Sequence, residues 1–233
     1  MKHFLVLLLA VFTLVSCDHT TGSGNIVTET RNTGSFDAIS VGGSFDVEVK
    51  MGDAISVVVE ADDNIMKYIE TKVSGKTLKI RTEGLHSYSN VHMKVVVTLP
   101  VLTAITASAS AEVVAENILT NSEKLAFKAS SSASIKAEVN APDIVTDANS
   151  SASITLWGKT RNHHSEASSS ADIHAFELLS ENTTASASSS ANIEVHASVS
   201  LNARASSSGN IDYKGAAAVT KSENSSGSVE KKD

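Results

Sequence analysis

The sequence predicts an all-β solenoid of about 18–20 residues per coil, with an N-terminal β-rich region covering one end. The first observation is a serine-rich phrase that recurs six times after residue 129. It reads Ser131-Ser132-Ala133-Ser134-Ile135, Ser150-Ser151-Ala152-Ser153-Ile154, Ser169-Ser170-Ala171-Asp172-Ile173, Ser189-Ser190-Ala191-Asn192-Ile193, Ser207-Ser208-Gly209-Asn210-Ile211 and Ser225-Ser226-Gly227-Ser228-Val229. The second is its period: the closing apolar residue returns after 19, 19, 20, 18 and 18 positions. A repeat of this length cannot bury its apolar face alone and must stack on its neighbours. The third is alternation. Ala133, Ala152, Ala171, Ala191, Gly209 and Gly227 stand two before the anchors, and Ala137, Leu156, Ala175, Val195 and Tyr213 stand two after. Small or apolar residues at every second place mark a strand with one buried face. Ser134, Ser153, Asp172, Asn192, Asn210 and Ser228 lie between them and are expected to face water.

A second strand precedes the phrase in each coil. Leu125, Ile144, His163, Thr183, Leu201 and Val219 stand ten before the anchors, and Ala129, Ala148, Ala167, Ala187, Ala205 and Glu223 stand six before. Five of each six suit an interior, and the Ser-Ser pairs then fall at the bend between strands, where short hydroxyl side chains can bond local backbone. Gly158 and Gly215, four after their anchors, suggest a turn out of the second strand. Pro142 lies in the neighbouring connection of another coil.

From 31 to 101 the pattern is that of conventional strands. Phe36 to Val41, Phe45 to Val49, Ile55 to Val59, Leu78 to Arg81 and His92 to Val97 all read as extended. Asp62 to Ile69 reads as one short helix capped by Asp62 or Asp63. Ser108-Ala109-Ser110-Ala111 is a first, imperfect copy of the phrase, so the N-terminal part runs into the solenoid repeats of 102–229 without a linker.

Residues 1–16 read as a signal peptide: a polar start at Lys2 and His3, then an apolar run from Phe4 to Val15 too short to span a bilayer. Leu14-Val15-Ser16-Cys17 looks like a lipobox, which makes Cys17 the lipidation site. Cys17 is the single cysteine, so no intrachain disulfide is expected. The stretch 17–30, with Gly22-Ser23-Gly24, reads as lipidated cysteine plus flexible tether, and 230–233 as a polar tail. Without residues 1–16 the chain has 18 basic against 26 acidic residues, a charge of −8. That balance, with no basic patch, argues against nucleic acid as a partner. Aromatics are only 4% of residues, so the interior is expected to be slim and filled by Ile and Ala.

The segments Phe36-Asp37-Ala38-Ile39-Ser40-Val41, Phe45-Asp46-Val47-Glu48-Val49, Gly52-Asp53, Glu60-Ala61-Asp62-Asp63-Asn64-Ile65, Leu78-Lys79-Ile80 and Leu99-Pro100-Val101-Leu102 resemble the head GIN domain family of auto-transporter adhesins. Such domains occur in secreted or lipid-anchored proteins of Bacteroidetes-type bacteria, and the similarity covers most of the mature chain. Relatives typically have Ser-Gly-Ser-Gly before the anchor where this chain has mostly Ser-Ser-Ser-Ala. The resemblance implies a right-handed β-helix-like fold and an extracytoplasmic role, and no catalytic residue.

Three candidate sites arise. Trp157, Phe176 and His196 stand three after their anchors and form a possible ligand or partner face, since rows of flat rings suit a glycan groove or a stacking ladder alike. His163-His164, His174 and His196 do not make a metal site: adjacent strand residues point to opposite faces, and no carboxylate spacing completes a set. Asp172, Asn192, Asn210 and Asp212 form a sparse polar ladder rather than the converging acids a lyase or hydrolase needs. The expected protein is therefore a non-enzymatic, cofactor-free adhesion, scaffolding or envelope-associated binding module. It is anchored to the membrane, placed in the outer membrane facing the periplasm or the outside, and expected to meet a glycan or surface-protein partner. The alternative is a glycan-binding or glycan-active β-helix protein of polysaccharide lyase or hydrolase type.

Overall fold

A computed structural model describes residues 18–84 and 86–233. Residues 1–16, read above as a signal peptide, and Cys17 lie outside the described residues. Two strand faces run the length of the fold, and each coil contributes one strand to each. The first face stacks Ala104–Ser108, Lys124–Ala129, Asp143–Ala148, residues 162–167 of the long strand Ser153–Ala167, residues 182–187 of Leu178–Ala187, then Ser200–Ala205 and Ala218–Glu223, all parallel. The second stacks Glu112–Ala115, Ser134–Asn140, residues 153–159, Asp172–Ala175, Asn192–His196, Asn210–Lys214 and Ser228–Lys231. Ile135, Ile154, Ile173, Ile193, Ile211 and Val229 lie directly over one another in register and are buried. This column is the repeat seen in the sequence.

The Ser-Ser pairs form the bend between the faces. Both residues of every pair are left-handed, with φ between +48° and +63°, a region that costs an L-residue about 1–2 kcal/mol. Stacking offsets the strain. The N–H of the second serine donates to the carbonyl of the first serine in the next coil, at 3.0 Å from Ser132 to Ser150 and likewise at Ser151, Ser170, Ser190 and Ser208. Backbone rather than hydroxyl groups thus bond the corner, and the paired hydroxyls face solvent. The imperfect copy adds a seventh corner, since Ala109 and Ser110 have φ of 56° and 67°, and Ser110 N–H donates to Ser131 at 3.0 Å. Seven corners enclose six full turns.

Gly158 supplies the bend leaving the second face. Its φ is +119°, and a Cβ there would stand 2.1 Å from the Val139 carbonyl oxygen of the coil beneath, so no other residue fits. The bend occurs inside the continuous strand Ser153–Ala167. Gly215 repeats the arrangement over Ala197.

The N-terminal region continues both faces and then turns them antiparallel. Ala104–Ser108 pairs with Ala38–Gly42, which pairs with Thr77–Thr82, itself antiparallel to Ile69–Ser74. Glu112–Ala115 pairs with Asp46–Met51, then Met93–Leu99, then antiparallel with Ser56–Asp62 and Ile26–Arg31. Phe45, Ile65, Leu78 and Leu99 are fully buried and thicken the core at this end.

Three expectations change. The helix proposed for Asp62 to Ile69 is a single 3₁₀ turn, Met66–Tyr68. Asp62 belongs to a strand, and its buried carboxylate accepts the N–H groups of Gly24 at 2.6 Å and His92 at 2.7 Å, so it ties two segments together instead of capping a helix. The tether proposed for 17–30 is built into the fold from Asp18. Asp18–Thr21 pairs with His86–Ser89, Ile26–Arg31 forms an edge strand, and Ser23 and Asn25 bond the Asp63 carboxylate at 2.6 and 2.8 Å. The proposed tail at 230–233 starts inside the strand Ser228–Lys231, and Lys232 N–H donates to the Tyr213 carbonyl at 2.9 Å.

Candidate functional site

The outward rows are ladders of like side chains. On the second face Asn192 donates to Asp172 at 2.8 Å, Asn210 to Asn192 at 3.0 Å and Ser228 to Asn210 at 2.8 Å. On the first, Asn162 donates to Asp143 at 2.6 Å, Asn182 to Asn162 at 3.2 Å and Ser200 to Asn182 at 2.8 Å. Each amide uses its donor on the coil below and its acceptor on the coil above, so it fits between an acceptor beneath and a donor above. Asp212, on the adjacent row, meets Lys232 at 3.3 Å.

Trp157 is 37% exposed and lies opposite Glu138 in the coil below. Phe176 leaves the strand: Phe176 and Glu177 form a turn in the coil whose repeat is 20 residues, and the Glu177 carbonyl accepts Gly158 N–H at 3.0 Å. The Lys214 ammonium sits over the Phe176 ring, 5.1 Å from its centroid. His196 is half-buried and donates from Nδ1 to the Ser180 carbonyl at 3.3 Å, while its own carbonyl accepts Thr183 Oγ1 at 2.8 Å. Trp157 thus offers a ring to solvent, Phe176 offers one covered by a cation, and His196 is tied to the coil's interior.

Two residues beyond Trp157 begins an open groove of about 780 Å³, lined by Pro100, Val101, Asn121, Pro142, Lys159 and Arg161 among others. The Pro142 carbonyl shapes it by accepting Arg161 N–H at 3.1 Å, Asn162 N–H at 2.9 Å and Thr160 Oγ1 at 3.0 Å. The sequence signal for this concavity is Pro142, which cannot donate to a ladder and so marks a break in the connection.

The histidine pair splits as strand geometry requires. His164 faces outward, 2.9 Å from Glu166, and His174 meets Glu194 at 2.8 Å. His163 faces inward and is 2% exposed. Thr146 Oγ1 donates to Ser165 Oγ at 3.1 Å, so His163 Nε2, 3.0 Å from Thr146 Oγ1, must be the donor to it. The other ring nitrogen, Nδ1, is buried with no hydrogen-bond partner among the described residues. Burial, then the neighbouring His164, pushes the His163 pKa down to about 3. Among the described residues no group of three His, Cys, Asp or Glu is placed to hold a metal ion, and no helix is long and apolar enough to cross a membrane.

Solved structures of Bacteroides and Parabacteroides proteins share this architecture. A "putative adhesin" of Bacteroides fragilis superposes with a TM-score of 0.82 at 20% identity, covering 91% of this chain and 98% of that one. A "putative adhesin" of Parabacteroides distasonis gives 0.75 at 27% identity over 92% and 100% of the two chains. A "putative lipid binding protein" of the same species gives 0.78 at 24% identity over 93% and 100%. No curated protein matches the chain. The family described as "Putative auto-transporter adhesin, head GIN domain" matches residues 35–217, through the N-terminal strands and six of the seven corners. The chain belongs to that family.

Proposed function

We propose that the protein is a lipid-anchored, extracytoplasmic β-solenoid that acts without catalysis, as an adhesion, scaffolding or envelope-associated binding module. The observation that carries this reading is its membership of an adhesin family across residues 35–217, most of the chain. The outward rows agree with it, because stacked like side chains make a long, regular surface suited to contact. In this reading Cys17 carries the lipid, the membrane is the outer membrane, and the head faces the periplasm or the outside. Because Asp18 already pairs with His86, the anchor would hold the head against the bilayer with little slack.

Cys17→Ser tests the anchor. The substitution should abolish acyl labelling in cells and move the protein from the membrane to the soluble fraction. Unchanged labelling and fractionation would overturn it.

A second reading, a glycan-binding or glycan-active solenoid, is favoured by one observation: Trp157 presents an exposed ring two residues before Lys159, which lines the Pro142 groove. The readings part on what becomes of a bound saccharide. A binding module returns it intact, whereas a lyase or hydrolase shortens it.

A further inference from the structure

The seventh coil departs from those beneath it at its inward positions. On the first face Ala203 and Ala205 point inward and are buried, and the residues paired with them one coil on are Lys221 and Glu223. On the second face Lys231 stands over the partly buried Tyr213. Of the inward positions of this coil, only Val219 and Val229 keep the apolar character of the columns below.

The charges are held in a network. Lys221 Nζ lies 3.0 Å from Glu223 Oε1 and donates to the Val229 carbonyl at 3.2 Å. The same Glu223 oxygen accepts Val229 N–H at 2.7 Å. One residue from each face is thereby joined across the end of the core. Hydrogen bonds from Lys221, then from the Val229 backbone, hold the Glu223 carboxyl below its usual range, so it stays charged at neutral pH.

The backbone of this coil is paired on one side. Ala218–Glu223 bonds Ser200–Ala205, and Ser228–Lys231 bonds Asn210–Lys214; among the described residues no strand lies on the far side. A free edge that continues a regular ladder is a template for strand addition. At its other end the fold closes with the antiparallel strands Ile69–Ser74 and Ile26–Arg31, so the edge of matching form that a second copy offers is its own last coil, and the occupant that fits is a second copy stacked end on through that coil. Such a copy would take Lys221, Glu223 and Lys231 out of water, at a desolvation cost of several kcal/mol per ion that the Lys221–Glu223 pair offsets only in part.

We propose that the Lys221–Glu223 pair is a built-in stop, which closes the core at this end and excludes end-on stacking by a second copy of the chain. The stop lies apart from Trp157 and the Pro142 groove and does not depend on what the protein binds.

Sedimentation velocity tests it, on the chain from Asp18 onward, which contains every described strand. The parent should sediment as a monomer. Lys221→Ala with Glu223→Ala, which installs the residues of the coil below, should sediment at twice the monomer mass, with amide exchange in 218–231 slowed as concentration rises. A second variant, Glu223→Lys, breaks the pair but keeps charge pointing inward and should remain monomeric. The inference is overturned by a double variant that stays monomeric, by association that leaves exchange in 218–231 unchanged, by a Glu223→Lys variant that dimerises as readily as the double variant, or by a parent already dimerised through this edge.

Discussion

Lowering the pH from 6.5 to 5 is expected to cost this protein about 2 kcal/mol of unfolding free energy through His163 alone, at about 1.4 kcal/mol per pH unit. The folded pKa, about 3, lies below the ordinary histidine value of 6.5. The unfolded chain therefore takes up a proton across that window while the folded chain does not. The stability is fully present above pH 6.5, falls as the pH drops, and is wholly lost below about pH 3. Thr146 bonds the ring, Ser165 bonds Thr146, Asn162 and His164 flank the residue and the buried Thr183 is in register with it one coil on, and none is an acid that could compensate the imidazolium. His163→Leu should remove the slope between pH 6.5 and 5, since leucine already occupies this column at Leu125 and Leu201. Urea titrations at several pH values decide the matter. A parent equally stable at pH 7 and 5, or a His163→Leu variant with the parent's slope, contradicts the assignment.

Ile173→Ala is expected to cost about 2–5 kcal/mol, and Asp172→Ala next to it no more than about 0.5 kcal/mol. Ile173 is fully buried between Ile154 and Ile193, and no side chain in so slim an interior can swing over to fill the gap. Asp172 faces outward and loses one bond, from Asn192 at 2.8 Å. Chemical denaturation of both variants measures the difference. Equal losses would mean that the inward and outward phases are reversed or absent.

What the sequence made legible was what repeats. The anchors at Ile135 to Val229, the Ser-Ser corners and the alternation around them recur because stacked coils impose one environment on each position, so the pattern is written several times over. The imperfect corner at Ala109-Ser110 was readable for the same reason. Features that occur once were harder to find. Gly22-Ser23-Gly24 has the composition of a linker, and what fixes it is Asp62 and Asp63, some forty residues away. Asp62 carries the same signal as a helix cap and instead completes a long-range tie. The row of Trp157, Phe176 and His196 was legible as a spacing but not as a surface. The coil at Phe176-Glu177 spends its extra length on a turn, and His196 turns toward Ser180, so equal offsets from the anchors do not give equal orientations. Of the Pro142 groove only Pro142 itself was legible, because the other lining residues come from several coils far apart in the chain.

The central claim, that this family member binds without converting what it binds, is tested most directly by offering the chain from Asp18 onward a panel of immobilised glycans and surface proteins, with Trp157→Ala in parallel, and weighing each bound ligand after release. The account predicts saturable binding to at least one ligand, recovered with its mass unchanged. Loss of that binding in Trp157→Ala without a change in melting temperature would place the contact at the exposed ring. A saccharide recovered shortened or unsaturated would contradict the account and establish the glycan-active reading, and a panel with no bound ligand at all would contradict both.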